Sequence, residues 1–295
     1  MPTCAEDSWT WVLRTGDYAR VTVMRSLVLG VVILALTAST ATAAGPKEML
    51  SRARQLYNAG RYDEAIEAAR SATAAPDLAD RAGIVLARAS LERFRRSMDP
   101  TDLSTARETL AQIKSTDLSP DDRLDLIIAT GELLYFDDKP GAAAEQFELA
   151  LGRIDPKRAE GRELILDWWA SALDRQAQVV SAGEARAIEM RIVSRMEVEL
   201  QRDEDSHVAS YWLVASTRAA GDVERAWSAA IAAWVRAAQA GPKGAALQAD
   251  LNRLVLQVVI PERARQLAAN NPESAVAAVA AMRKEWELLK QAWTR

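Results

Sequence analysis

The sequence has almost no cysteine and almost no histidine, and this limits the chemistry that it can carry out. Among its 295 residues there is one cysteine, Cys4, and one histidine, His207. A single thiol cannot close a disulfide within the chain, and a zinc site needs several ligands at defined spacings. We therefore expect no structural disulfide, no metal centre and no bound cofactor.

The residues around His207 allow two interpretations. It follows Asp203, Glu204 and Asp205, and these acids would suit a general base or a metal ligand. In the simpler interpretation Asp205 or Ser206 caps the next helix, because an acidic or hydroxyl side chain satisfies free N–H groups at a helix start. We favour the capping interpretation, since there is no second histidine to complete a metal site.

Other motifs of chemistry are also missing. No run of five basic residues and no alternation of basic and aromatic residues occurs, which disfavours nucleic-acid binding. There is no glycine-rich phosphate loop and no Gly-x-Ser-x-Gly elbow. Carboxylate pairs occur at 121–122 and 137–138, where helix capping explains them. A glycosidase could draw two acids from anywhere in a chain, but nothing favours one here, and we predict that the protein is not an enzyme.

The hydrophobic residues, 49% of the chain, are mostly alanine and leucine. Both residues are strong helix formers, and no alternating β-branched stretch is present. The pattern predicts an all-α protein with short breaks at glycine and proline. The predicted helices span 46–59, 62–75, 78–97, 101–115, 119–137, 140–153, 157–179, 182–203, 206–220, 222–239, 243–259, 261–269 and 272–294.

The N-terminus has the pattern of an export signal. Arg25 is followed by an apolar run at 27–36 and by an Ala-x-Ala site at 41–43. We interpret 24–43 as a signal peptide and 1–23 as an over-called N-terminal extension. Cleavage predicts a protein exported to the periplasm or the medium, with no stable membrane span. The alternative is an N-terminal membrane anchor, although the apolar run is shorter than the ~20 residues that a spanning helix needs.

Two segments share a spacing of small and large residues. The first contains Ala53, Leu56, Gly60, Tyr62, Ala65, Ala69 and Ala72, and the second contains Gly131, Leu134, Ala143, Phe147 and Ala150. A weaker third copy contains Leu213, Gly221, Ala226, Ala230 and Ala233. The spacing is similar to that of the tetratricopeptide repeat family. The resemblance implies antiparallel helical hairpins stacked as a solenoid over 44–240, with helices at 241–295 as an irregular C-terminal cap.

Tryptophan is unusually placed, because seven of the nine lie after residue 167. We expect Trp227, Trp234, Trp286 and Trp293 to be core residues, since each pair has the spacing of one helix face. Trp168 and Trp169 are adjacent, as are Tyr211 and Trp212. Adjacent helical residues diverge by about 100°, so both rings of a pair cannot enter one seam.

The two aromatic pairs therefore have two possible roles. Either one ring of each pair is exposed on a concave surface and contacts a partner, or the helices are buried on two sides. The first possibility makes Trp168, Trp169, Tyr211 and Trp212 the candidate binding residues. On this basis the sequence predicts a scaffold that binds an unidentified protein or peptide through its concave surface. A small-ligand receptor with a Trp-rich site in the C-terminal half is the alternative.

Overall fold

The computed structural model describes residues 45–114, 116–155, 158–268 and 271–293, and every regular element in these ranges is helical. The predicted all-α class is confirmed. The predicted extension (1–23) and signal peptide (24–43) lie outside the described residues. None of the helices in the described ranges combines the length and the apolar character that a bilayer crossing requires.

The helices follow one another with short connections. Their bounds are α1 Pro46–Asn58, α2 Tyr62–Ala72, α3 Ala79–Ser97, α4 Pro100–Gln112, α5 Pro120–Phe136, α6 Pro140–Leu151, α7 Ala159–Ala177, α8 Ala182–Arg202, α9 His207–Ala219, α10 Val223–Gln239, α11 Ala245–Leu254, α12 Ile260–Leu267 and α13 Pro272–Trp293. A 3-10 turn at Gly241–Gly244 precedes α11. Several helices begin at proline, where the missing N–H has no partner to lose.

One predicted break is wrong. We expected a helix to end at 259 and a new one to start at Pro261, but α11 and α12 form one continuous helix. They are joined by a π-helical segment, Val255–Val259, in which the Ile260 N–H bonds to the Val255 carbonyl. Inside an α-helix a proline ring clashes with the carbonyl four residues earlier. The wider π turn relieves that clash, so Pro261 does not end the helix.

The first compact unit extends to Arg123 and contains α1 to α4. Within this unit α1 packs against α2, α2 against α3 and α3 against α4, and α1 also contacts α3. The core between α1, α2 and α3 is made of Leu50, Ala53, Leu56, Ala65, Ile66, Ala68, Ala69, Ala72, Leu78, Ala82, Val85, Leu86 and Ala89. Alanine dominates this core because its small side chain lets helix backbones approach closely.

The second compact unit begins at Leu124, inside α5. Its successive helices from α6 to α11 pack in order, and α7 contacts α9, which in turn contacts α11. One core cluster joins α9 to α13 and includes Val214, Trp227, Trp234, Leu251 and Trp286. The division that we predicted at residue 240 thus falls within a shared core, and its status as a domain boundary stays a prediction.

Three hairpins close with the same turn. The φ angle is positive at Gly60 (69°), Asp138 (59°) and Gly221 (93°). The N–H of the following residue bonds to the carbonyl five residues earlier: Arg61 to Leu56 (2.9 Å), Lys139 to Leu134 (2.9 Å) and Asp222 to Thr217 (3.1 Å). This is a Schellman-type helix end, which favours glycine and tolerates Asp. A fully buried alanine stands five residues after each turn, at Ala65, Ala143 and Ala226, so the three hairpins are structurally equivalent.

Candidate functional site

The ring of Trp168 lies in an aromatic cluster rather than on the surface. Its centroid is 5.2 Å from that of Tyr135, 5.8 Å from Phe136 and 5.7 Å from Phe147. These partners belong to α5 and α6, and Trp168 is 8% exposed. Edge-to-face and offset-stacked contacts of this kind stabilise a core beyond the area that they bury. Trp168 therefore fills the seam between α7 and the preceding hairpin.

Trp169 turns the other way, toward α8. The guanidinium groups of Arg191 and Arg195 lie 5.6 and 5.7 Å from its ring centroid, and the residue is 1% exposed. The prediction that one ring of the Trp168–Trp169 pair is exposed is therefore wrong. The two rings diverge as expected, but α7 has a neighbouring helix on both sides, so each ring enters a different seam.

The second aromatic pair is also covered by neighbouring helices, although less completely. Trp212 is 9% exposed and its indole N–H bonds to Asp167 on α7. Tyr211 is half-buried against the core of α9 to α13, and burial raises the pKa of its hydroxyl. Trp168 and Trp169 thus enter different seams, whereas the rings of Tyr211 and Trp212 remain in edge-to-face contact, with centroids 5.6 Å apart. The role of these four candidate residues in binding is untested, and their burial gives it no support.

The other tryptophans were interpreted as core residues, and this is confirmed for three of them. Trp227 and Trp234, both on α10, contact Trp286 on α13, with ring centroids 5.8 and 5.2 Å from it. All three are buried. The prediction for Trp293 is wrong, because this residue, in the last turn of α13, is 42% exposed.

The capping interpretation of the His207 region is confirmed. Ser206 precedes α9 and its hydroxyl oxygen accepts a hydrogen bond from the N–H of Ala209 (3.1 Å). Glu163 on α7 adds a second link, since it accepts from the Ser206 hydroxyl (2.6 Å) and from the Val208 N–H (3.1 Å). A cavity of about 10 Å³ beside His207 has room for one water molecule at most.

A cleft with room for a ligand lies in the first unit, between α1 and the start of α3. It has a volume of about 440 Å³ and is open to solvent on one side. Its lining residues are mostly polar, and they are Lys47, Leu50, Ser51, Arg54, Gln55, Asn58, Asp77, Leu78 and Arg81. We refer to it as the α1–α3 cleft. None of the seven tryptophans from Trp168 to Trp293, all in the described ranges, lines it.

The α1–α3 cleft presents mainly hydrogen-bond donors. Three cations line it, Lys47, Arg54 and Arg81, against one acid, Asp77. Arg54 forms an ion pair with Asp122 at the start of α5, yet its side chain stays 44% exposed. Arg81 donates to the backbone carbonyl of Asp77 at 3.1 Å, which holds its guanidinium at the rim. A group rich in acceptors would find complementary charge here.

A weak signal for this cleft is present in the sequence. Positions 47, 51, 54, 55 and 58 carry polar side chains at helical spacing, which places them on one face of α1. Such a stripe usually marks a solvated helix face. The contribution of residues 77–81 depends on how the loop before α3 packs, and local spacing does not show this.

The described ranges bring together no group of three side chains that could hold a metal ion. Comparison with protein-family models, with curated proteins and with solved structures gives no significant match.

Proposed function

We propose that the protein is a helical-repeat scaffold of the tetratricopeptide type, and that it holds an extended, acidic segment of a partner protein in the α1–α3 cleft. The observation that carries the proposal is the donor-rich lining of this 440 Å³ cleft, with the cations Lys47, Arg54 and Arg81 among mostly polar side chains. An extended segment offers backbone carbonyls and carboxylates, and these match amide and guanidinium donors.

Two observations support the repeat architecture in this proposal. Alternate helices contact each other as well as their sequence neighbours, as α1 does with α3 and α7 with α9. Stacked hairpins have this pattern, because the first helix of each pair lies beside the first helix of the next. The equivalent turns at Gly60, Asp138 and Gly221 give the repeats a common local geometry.

The same cleft favours a polar partner over an apolar small ligand. Small-molecule sites are lined mainly by apolar and aromatic side chains. Leu50 and Leu78 are the apolar side chains among the residues that line the α1–α3 cleft. The Trp-rich region of the second unit instead packs its rings between helices. We therefore prefer protein binding to the alternative of a small-ligand receptor.

The proposal includes export and excludes catalysis. Export rests on the apolar run at 27–36 followed by the Ala-x-Ala site. As to catalysis, the carboxyl groups of Asp174 and Glu189 lie close together, but Glu189 is 3% exposed and has no open path to a substrate.

Binding is tested by fluorescence anisotropy with the full chain and a short labelled peptide rich in Asp and Glu. We expect saturable binding that weakens as salt is added, because exposed charges are screened. Arg81→Ala should weaken binding about tenfold, which corresponds to about 1.4 kcal/mol. Arg70→Ala is the matched control, since Arg70 is exposed on α2 away from the cleft, and it should bind as the wild type does.

A peptide of the same length rich in Ser and Gln serves as the neutral comparison. Equal binding of the neutral and the acidic peptide would contradict the charge argument. Binding of the acidic peptide that is unchanged in Arg81→Ala would place the site elsewhere on the protein.

A further inference from the structure

A second polar cluster, independent of the α1–α3 cleft, lies in the second unit where α8 packs against α7 and α9. Glu189 on α8 is 3% exposed, and its carboxyl group lies beside Asp174 on α7 and Ser216 on α9, whose hydroxyl oxygen is itself buried without a hydrogen-bond partner. One oxygen of Glu189, Oε2, is buried without a hydrogen-bond partner. Buried polar side-chain atoms normally have at least one hydrogen-bond partner, so an unpartnered carboxylate oxygen calls for an explanation.

The charges around Glu189 do not balance. The charged groups that act on it are Asp174 from α7 and Arg218 from α9. Arg218 also donates to Glu262 on α12, at 3.2 Å. Asp174, Glu189 and Glu262 thus lie around one guanidinium, although Glu262 also has Arg265 at 4.0 Å and the Arg218 side chain is 31% exposed. Glu189 itself is closed to water. Two neighbouring carboxylates cannot both ionise cheaply in such a place, so one of them retains a proton.

We propose that Asp174 and Glu189 form a proton-linked latch: a proton shared between the two carboxyl groups holds α8 against α7 and α9, and its loss on alkalinisation loosens that seam. With the proton present, one carboxyl donates to the other and the pair carries a single negative charge that faces Arg218. Without it, two like charges face each other across the seam.

The direction of the effect follows from the pKa of Glu189. Burial and the negative charge of Asp174 raise it to about 7 from 4.5, while the Ser216 hydroxyl and Arg218 act in the opposite sense. Burial raises the pKa of Asp174 as well. Between the unfolded and the folded pKa the folded state binds more protons than the unfolded state. Stability due to this pair is therefore full below the unfolded pKa and is lost as pH rises through the folded pKa.

The pH window is favourable for a test. Ordinary carboxyl, tyrosine and lysine side chains have pKa values outside about pH 5 to 8, so a change in stability within this range points to Glu189. We expect the urea-denaturation midpoint of the second unit to fall steadily over this range. We also expect hydrogen-exchange protection of α7, α8 and α9 to fall by at least about tenfold, after correction for the intrinsic exchange rate.

The decisive variant is Glu189→Gln, which has the shape and neutral charge of the protonated acid. It should abolish most of the pH dependence and exceed the wild type in stability at about pH 8. Asp174→Asn should have the same effect, because it removes the other negative charge of the pair. Glu145→Gln, exposed on α6, is the control and should keep the wild-type pH dependence.

Two outcomes would overturn the proposal. The first is a wild-type stability that does not fall between about pH 5 and 8, which is decisive even if a variant fails to fold. The second is a full pH dependence retained in both Glu189→Gln and Asp174→Asn, because the titrating group would then lie elsewhere.

Discussion

The indole nitrogen of Trp212 donates a 2.7 Å hydrogen bond to a carboxylate oxygen of Asp167, and this bond joins α9 to α7. These two helices belong to successive hairpins. Their seam is therefore held by a directional polar contact as well as by apolar packing.

Trp212→Phe should destabilise the protein. The substitution keeps an aromatic ring but removes the donor, and a hydrogen bond to a charged acceptor typically contributes about 1.5–3 kcal/mol. Urea denaturation measures the loss. Trp293→Phe is the control, because Trp293 is 42% exposed, and it should change stability by less than about 0.5 kcal/mol. Equal small losses in both variants would mean that the Trp212 bond contributes little.

Trp168→Ala should be among the most destabilising single changes in the second unit. The ring packs on Tyr135, Phe136 and Phe147, and removal of a buried aromatic ring commonly costs about 3–5 kcal/mol. Leu164→Ala provides a control on the same helix, since Leu164 is 46% exposed and should cost well under about 1 kcal/mol. If Trp168→Ala unfolds at the same urea concentration as the wild type, the ring contributes little to the core. That result would favour the interpretation of Trp168 as a surface residue.

Gly131→Ala should also destabilise, although alanine is the better helix former. A Cβ atom at Gly131 would lie 2.8 Å from the ring of Phe147, which is fully buried and cannot move aside. Overpacking of this kind costs about 1–3 kcal/mol, which exceeds the gain of about 1 kcal/mol from helix propensity. Phe147→Leu in the same chain should recover part of the loss.

The control for that prediction is Gly183→Ala on α8, where nothing lies within 4 Å of the added atom. It should stabilise the protein by about 0.4–1 kcal/mol. Opposite signs for the two glycine variants in thermal denaturation would confirm that space at Gly131, rather than backbone entropy, decides the outcome.

Glu199 should contribute to stability with the opposite pH dependence from Glu189, and Glu199→Gln tests this. Burial alone would raise the pKa of Glu199, but hydrogen bonds from Arg162 and Arg195 outweigh it and lower the pKa. The stability from these bonds is present above the unfolded pKa and is lost as pH falls through the folded one. The variant should be about 3 kcal/mol less stable than the wild type at neutral pH.

In strong acid that difference should vanish, because Glu199 is then protonated and resembles glutamine. Urea denaturation across the acid range measures both values. A constant difference at every pH would show that Glu199 acts through packing rather than through its charge.

Most helix limits could be predicted from the sequence, because they depend on residues close by, namely the prolines at helix starts and the residues at hairpin turns. The proline rule failed at Pro261, since a π turn can accommodate the ring. The aromatic pairs could not be resolved locally. The 100° divergence of Trp168 and Trp169 was predictable, but whether each ring meets water depends on α5, α6 and α8.

The candidate sites show the same dependence on distant residues. The polar stripe on α1 is visible in the sequence, but the partner of Arg54 is Asp122, 68 positions away. In the sequence Glu189 has the pattern of an ordinary acid on a helix surface. Its burial becomes visible only when the packing of α7 and α9 against α8 is known. Neither charge balance nor burial can be predicted from spacing when the contributing groups come from three helices.

The π segment between α11 and α12 links the number of residues in the stretch 255–259 to the presence of Pro261. A π turn holds one residue more than the α-helical path between the same two ends, so it absorbs an inserted residue while the flanking helix faces keep their orientation. Arg263 therefore still reaches Glu224, at 2.8 Å, and the ring of Trp227.

Deleting one residue from Val255–Val259 would bring back regular α-helical bonding, but the ring of Pro261 would then meet the carbonyl four positions before it. Deletion together with Pro261→Ala would leave an uninterrupted helix with the same face toward α10. The extra residue and the proline are thus interdependent, and chain length in this stretch can change only when both change.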